Sequence, residues 1–271
     1  MTKTVILVWT QDCKNCKRTS TDNFWGLGDL IRGTIKLFQL SKQMHFNLIV
    51  NTILHPVSIH LKTLSSEYDE LIRSNKQHIE FVFPGNVETH ITTSQNDILY
   101  FLTNDFCDEN NITEECKDFI KTILTPSDTL LHLLDKYGYY SAAQTPYNIF
   151  HMRLGDKFIL NKDIIDDNFI ESVKTQIIDN RDCIFVCDSY LVKDRLKHDG
   201  FFEKYNISFI DVDGGHIGYE QNNEKIKNTL LEFFIISNSN TIKTFSVYPW
   251  ISGFVFWTAK LYDIPLSSVK K

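Results

Sequence analysis

The chain has 271 residues, of which 42% are hydrophobic and 23% are charged, as in a soluble globular protein of one large domain or two smaller ones. A formal net charge of -6 argues against a broad nucleic-acid surface. Neither a membrane span nor a secretion signal is predicted from the apolar stretches. We therefore expect a cytoplasmic protein, in the host cytoplasm if the source is viral, with its cysteines reduced.

Strands and helices alternate through the first half of the chain. Apolar spacing predicts a strand at residues 4–9, a helix at 30–43, strands at 46–50, 80–83 and 99–102, and helices at 116–124 and 126–137. This half therefore predicts an α/β layer built of strand–helix units.

Cys13 and Cys16 follow the first predicted strand with the spacing of a thioredoxin-type redox pair. Such a pair normally opens a helix, whereas polar residues 19–23 follow here. Loop cysteines without redox chemistry, or an adventitious metal site, are the alternatives.

Gly26 and Gly28 precede the first predicted helix, with Asp29 at its start. Glycines at this place expose backbone N–H groups and let a ligand approach closely. The next glycine, Gly33, comes five positions later, which is not the spacing of a dinucleotide-binding fingerprint. A packing turn therefore fits these glycines equally well.

The second half of the chain has a clearer strand–helix alternation. Strands are predicted at 147–153, 183–187, 207–210 and 241–245, and helices at 166–178, 189–198, 223–237 and 250–262. This order predicts a parallel sheet with helices on both faces. The boundary between the halves gives an N-terminal domain of residues 1–145 and a C-terminal domain of 146–271.

Polar residues stand at the carboxyl ends of all four of these strands, with Asp211 at the end of the third, and α/β sheets bind ligands at such ends. Arg153 offers a charged fork for phosphate oxygens, and the hydroxyls of Thr244 and Ser246 before a helix would help to cradle a diphosphate. Asp188 could accept hydrogen bonds from a guanine edge or a ribose. As alternatives, Asp188 caps a helix and the hydroxyls only terminate their strand. Together these residues predict a site for a nucleoside diphosphate.

His151 and Arg153 share one face of their strand, and Gly155 and Asp156 follow at its end. His151 either contacts the ligand or supports the site. Asp156 is either a general base or the partner that orients Arg153, and the two could simply pair across a turn.

Asp211 and Asp213 form a DxD pattern of the kind that metal-dependent sugar-nucleotide enzymes use. Because two glycines follow, the pattern also fits an ordinary turn. His216, after this turn, either lines the nucleotide pocket or is exposed, as most lone histidines are.

Residues 151–157, with the sequence HMRLGDK, resemble the HxRxGD motif of the superfamily of α1,2-, α1,6- and protein O-fucosyltransferases. Three further blocks come in the order of that family. They resemble its Gly-rich loop and helix (residues 23–33), its strand with an acidic end (186–189) and its strand and helix close to the C-terminus (234–246).

The resemblance implies a GT-B fold, in which two Rossmann-like domains face each other across a cleft and the C-terminal one holds GDP-fucose. It implies inverting transfer to a glycan or glycoprotein acceptor, without a metal ion or other cofactor. By position, Arg153 would bind the β-phosphate, His151 the nucleotide, and Asp188 guanine or its ribose. Gly155 lies in the HxRxGD block and Ser189 in the block of the strand with an acidic end, so the resemblance makes both candidate substrate-binding residues.

The remaining positions follow from the other blocks of the family. Thr244, Phe245 and Ser246 would hold phosphate or guanosine. Gly26, Gly28 and Asp29 would face the fucose and the acceptor, and Asp29 and Asp156 are the candidates for the general base.

The chain departs from the family pattern at three places. Leu154 stands where many members have a second arginine, Ser189 replaces a second aspartate, and residues 250–262 are bulkier than usual. A bacterial- or viral-type soluble member fits best. The alternatives are another sugar-nucleotide transferase, metal-dependent through Asp211 and Asp213, and a non-catalytic relative that binds a nucleotide or glycan.

Overall fold

The computed structural model describes residues 2–15, 25–62, 65–139, 146–155 and 165–269. It divides into two compact units: Met1–Leu130 with Ile217–Gln221, and Leu131–His216 with Asn222–Lys271. The structural division thus falls before the boundary that the sequence suggests at 145/146. A short segment of the later chain also belongs to the first unit.

The first unit contains a parallel sheet of three strands in the order β2-β1-β3. The strands are β1 (Thr4–Thr10), β2 (Asn47–Leu54) and β3 (Ile98–Phe101). Every residue of β1 is buried, which explains why this central strand is almost continuously apolar.

Four α-helices of the described part of the chain belong to this unit, and a fifth crosses the division between the units. They are α1 (Leu27–Met44), α2 (Asp69–Ser74), α3 (Val87–Thr93), α4 (Glu114–Ile123) and α5 (Asp128–Lys136), the last of which extends past the division between the units. The long helix α1 packs closely on the chain after β3. A Cβ atom at Gly33 would lie 2.0 Å from the carbonyl oxygen of Thr103, so only glycine fits there.

The second unit contains four parallel strands in the order β5-β4-β6-β7. The strands are β4 (Asn148–Arg153), β5 (Ile184–Cys187), β6 (Thr241–Ser246) and β7 (Leu266–Ser268). The helices are α6 (Asp167–Ile178), α7 (Tyr190–His198), α8 (Phe201–Tyr205), α9 (Asn223–Ser237) and α10 (Gly253–Tyr262).

Alternation along β4 directs its side chains to two different environments. Phe150 and Met152 belong to a buried apolar cluster with Val173 of α6 and Val192 of α7. On the other face, the ring of His151 stacks on Phe254 of α10, with 6.3 Å between the ring centroids. The sheet is thus covered on both faces, as predicted.

Most predicted elements are confirmed to within a few residues, and two predicted strands are wrong. Residues 80–83 and 207–210 each form only one isolated bridge, Phe81 with Leu102 and Phe185 with Phe209. Their apolar residues serve ring packing instead: Phe81 stacks on Trp25, and Phe209 stacks on Phe202 with 3.9 Å between centroids.

The cysteines differ from the expected reduced state at one position. Cys13 is disulfide-bonded, so the expectation is wrong for this residue, whereas Cys107, Cys116, Cys183 and Cys187 are free. Cys16 lies outside the described residues. Within the described ranges, no helix combines the length and the apolar character that crossing a bilayer requires.

Candidate functional site

Arg153, Asp188 and Ser246 meet at one edge of the sheet in the second unit. Arg153 is the last residue of β4, its register partner Ser246 is the last residue of β6, and Asp188 directly follows β5. Because these three strands are parallel neighbours, their carboxyl ends converge. The structure therefore brings together the residues that the sequence placed at separate strand ends.

The side chains of Arg153 and Asp188 form a mostly buried ion pair. Nη1 of Arg153 lies 2.7 Å from Oδ2 of Asp188, and the two side chains are 18% and 13% exposed. The backbone N–H groups of Leu154 and Gly155 also donate to this carboxylate, at 2.9 and 3.1 Å. Asp188 thus holds both the cation and the turn after β4, and this geometry favours a supporting role over direct reading of a base or ribose.

His151 and Thr244 lie beneath this edge and are only 3% and 1% exposed. Nδ1 of His151 lies 3.2 Å from Oγ1 of Thr244, a hydrogen bond between adjacent strands. Burial lowers the pKa of His151 to about 4, so the imidazole is neutral at neutral pH. The position of His151 favours support of the site over contact with a ligand.

Phe245 and Ser189 also serve the packing around the site. Phe245 packs against the apolar cluster on the face opposite His151. Ser189 is 1% exposed and stands at the N-cap of α7, so the helix cap that the sequence offered to Asp188 falls one residue later. The Ser189 side chain is therefore closed to a ligand from solvent, whereas Phe245 is partly exposed.

The segment after Ser246 differs from the sequence prediction. Helix α10 begins at Gly253, three residues after the predicted start at Trp250. A turn intervenes, in which the Oγ of Ser246 accepts a hydrogen bond from the N–H of Tyr248 at 3.2 Å. The rings of Tyr248 and Trp250 stack in this turn, and both residues lie before the N-cap of α10, Ser252.

Gly155 connects this turn to the ion pair. Its φ of +91° lies in the left-handed region that favours glycine. A Cβ atom there would lie 2.5 Å from the hydroxyl of Tyr248, so the tyrosine packs directly on the glycine backbone. Asp156, the next residue and a candidate base, lies outside the described residues.

The loop that carries Asp211, Asp213 and His216 is held by helical side chains. Asp211 pairs with Lys197 at 2.5 Å and Asp213 with Lys225 at 3.1 Å. The described residues contain no group of three or more side chains that could hold a metal ion. His216 is half-buried at the end of this loop.

A buried ion pair beside this loop was not anticipated from the sequence. Lys193 and Glu232 are 1% and 8% exposed, and their Nζ and Oε1 atoms lie 2.9 Å apart. Lys193 also donates to the carbonyl of Val212 at 2.6 Å. Burial raises the pKa of Glu232. A lysine in a charged helical stretch is normally predicted to lie at the surface. No local sequence pattern therefore indicated this buried pair.

The glycine-rich start of α1 forms a rigid turn in the first unit. Gly26 is the N-cap, and its N–H donates to Oδ2 of Asp29 at 3.1 Å. Oδ1 of Asp29 accepts from Nη2 of Arg32 at 3.1 Å, and the Asp29 side chain is 35% exposed. Gly28 is buried inside the helix, which fits the packing-turn interpretation better than ligand contact.

Comparison with known proteins gives a likeness in structure only. No family profile and no curated protein sequence matches the chain. The fold is similar to that of a mutant of Arabidopsis thaliana FUT1 in complex with GDP, with a TM-score of 0.54 and 10% identity, covering 99% of this chain and 70% of that one.

The fold is also similar to that of NodZ alpha-1,6-fucosyltransferase soaked with GDP-fucose, with a TM-score of 0.56 and 11% identity, covering 96% of this chain and 93% of that one. A second structure of this enzyme, co-crystallized with GDP, matches with a TM-score of 0.54. The likeness confirms the expected fold class: the chain has the α/β, GT-B fold of these proteins, with a parallel sheet in each unit.

Proposed function

We propose that this chain is an inverting, metal-independent glycosyltransferase that transfers fucose from GDP-fucose to a hydroxyl of a glycan or glycoprotein. The supporting observation is the convergence of Arg153, Asp188 and Ser246 at the strand ends of the second unit. One solved protein of this fold is in complex with GDP, and another was soaked with GDP-fucose. The donor would bind through its diphosphate at this edge.

Arg153 is the residue to which we assign stabilisation of the leaving group. A guanidinium carries five N–H donors in a fixed fork, so it can donate hydrogen bonds to a carboxylate and to a diphosphate at the same time. As the bond between the anomeric carbon and the diphosphate oxygen breaks, negative charge grows on that oxygen. A cation held in place by Asp188 stabilises this charge without reorganising during the reaction.

Ser246 would add a neutral hydrogen bond to the diphosphate. Its Oγ already accepts from the N–H of Tyr248, which orients the hydroxyl and leaves its own hydrogen to donate to a phosphate oxygen. His151 and Thr244 would act indirectly, by fixing the neighbouring strands through their buried hydrogen bond.

The acceptor hydroxyl would attack the anomeric carbon from the face opposite the diphosphate. A new bond forms between the acceptor oxygen and that carbon, GDP departs with the electron pair, and the hydroxyl proton passes to a carboxylate. Asp29 and Asp156 are the candidates for this base. Asp29 is fixed by Gly26 and Arg32 at the start of α1.

Arg153→Ala tests the proposal directly. We expect kcat for transfer from GDP-fucose to fall by about 10²-fold or more, because one fixed donor to the developing charge is lost. The measurement is release of GDP in the presence of a panel of oligosaccharide and glycopeptide acceptors. Arg153→Lys keeps the charge but not the fork, so we expect an intermediate rate.

Arg195→Ala is the matched control, because this arginine of the same unit is 50% exposed and pairs with Asp167 on the surface. It should retain the wild-type rate. Near-normal turnover of Arg153→Ala would contradict the assignment. GDP binding without transfer would favour a non-catalytic relative, and transfer that disappears with EDTA would favour a metal-dependent enzyme using Asp211 and Asp213.

A further inference from the structure

We propose that Trp250 is the platform on which the guanine base of the donor stacks, with Tyr248 as its support. This inference rests on the proposed function, because it takes a guanine nucleotide as the ligand. It assigns base recognition to an aromatic pair in the turn between β6 and α10.

The two rings form a parallel stack. Their centroids lie 5.1 Å apart and their planes differ by 7°. Trp250 is 63% exposed, whereas Trp9 and Trp257 are 0% and 3% exposed. Because Tyr248 covers one face of the indole, the opposite face is the part that can receive a flat ligand.

The stack is built onto the strand-end site. The ring of Tyr248 packs on the backbone of Gly155, whose N–H donates to Asp188, the partner of Arg153. The N–H of Val247 donates to the carbonyl of Arg153 at 3.0 Å. A nucleotide whose diphosphate lies at Arg153 therefore has these rings beside it, in the same unit.

The turn is also well suited to hold the stack in place before a ligand binds. Tyr248 is fixed at its N–H by Ser246 and at its ring by Gly155. Pro249 stands between the two aromatic residues and restricts the backbone there. A single exposed tryptophan is ordinary on a protein surface. A preorganised parallel stack beside a diphosphate site is a better match to a purine, because aromatic side chains bind bases through their π-faces.

The test compares GDP with pyrophosphate, which has the diphosphate but no base. In Trp250→Ala we expect GDP to bind about 10- to 100-fold more weakly by calorimetry, the range for loss of one base–aromatic contact. The inhibition constant of pyrophosphate should not change. In Arg153→Ala both ligands should bind more weakly. Trp250→Phe retains an aromatic face and should bind GDP within about threefold of wild type.

Intrinsic fluorescence gives a second readout of the same contact. GDP should quench the emission of the wild type, and Trp250→Phe should lose this quenching. Trp25→Phe is the matched control: Trp25 belongs to the first unit, where it stacks on Phe81, and the quenching should persist. Thermal melting of each variant without ligand verifies folding.

Each contrary result has a distinct meaning. If the wild type binds GDP and Trp250→Ala binds it equally well, base stacking is refuted and the proposed function stands. If Trp250→Ala weakens GDP and pyrophosphate equally, the residue shapes the phosphate site and the base role is refuted. If the wild type does not bind GDP at all, the proposed function itself fails.

Discussion

Asp188 shows how one side chain organises the candidate site. Its carboxylate accepts hydrogen bonds from the guanidinium of Arg153 and from the N–H groups of Leu154 and Gly155. Truncating one partner of a largely buried ion pair leaves the other charge uncompensated, which is more costly than losing a surface pair. A role in positioning Arg153 therefore explains this aspartate without requiring contact with the nucleotide.

His151 gives a prediction for the pH dependence of stability. Its folded-state pKa, about 4, lies below the unfolded value of 6.5. Between these values the unfolded chain binds a proton that the folded protein does not, so the free energy of unfolding decreases as the pH falls from 6.5 toward 4. Well above pH 6.5, where the imidazole is neutral in both states, this residue contributes no slope.

We expect His151→Gln to reduce that decrease. Between pH 7.5 and pH 5 the wild type should lose about 2 kcal/mol more unfolding free energy through this residue than the variant does. Urea titrations at the two pH values measure the difference. Burial also lowers the pKa of His55, to about 3. Because His55 is present in both proteins, its contribution to the pH dependence of the unfolding free energy is the same in both. An identical pH dependence in both proteins would contradict the assignment.

At the scale of elements, the close approach of α1 to the chain after β3 decides the packing of the first unit. Gly33→Ala would place a Cβ atom 2.0 Å from the carbonyl oxygen of Thr103, a backbone atom that cannot rotate away. Alanine gains about 1 kcal/mol of helix propensity, but overpacking costs about 1–3 kcal/mol and should win at this distance. We therefore expect a lower Tm and a smaller unfolding free energy.

Gly253→Ala is the control for that prediction. Gly253 is exposed at the first position of α10, so alanine there should be neutral or slightly stabilising. A Gly33→Ala variant as stable as the wild type would show that α1 can shift away from Thr103 without loss of packing.

At the scale of the whole molecule, Ile217–Gln221 belongs to the first unit although its neighbours in sequence belong to the second. Gln11 holds this segment: its Nε2 donates to the carbonyls of Ile217 and Glu220, and its Oε1 accepts from Gln221. Gln11 is only 8% exposed, so these bonds are shielded from water.

Gln11→Ala should loosen this segment. Net contributions of about 1 kcal/mol per hydrogen bond predict amide exchange at residues 217–221 that is faster by about tenfold or more. Exchange in β4 should stay the same. Mass spectrometry after deuterium labelling measures both. Gln39→Ala, which loses exposed hydrogen bonds to Asp108 and Asn111, is the matched control. Unchanged exchange at 217–221 would show that other contacts hold the segment.

Much of the fold of this molecule followed from local patterns. The fully buried β1 and the long α1 were predicted because apolar period and length identify such elements. Residues 80–83 and 207–210 were mistaken for strands because a short apolar run has the same pattern whether it pairs or packs. The start of α10 was placed three residues too early because the apolar pattern does not distinguish the aromatic turn at Tyr248 and Trp250 from the first turn of the helix.

The sequence by itself determined which residues would stand at the carboxyl ends of the strands, since strand ends are marked by local hydrophobic pattern and parallel strands share their direction. Only the tertiary structure decided which of those residues form ion pairs or hydrogen bonds with one another. Arg153 and Asp188 are 35 positions apart, and their pairing depends on β4 and β5 being neighbours. The burial of His151 with Thr244 likewise depends on the neighbour on the other side, β6. No local pattern encodes which strands become neighbours, because that is settled by the packing of the whole unit.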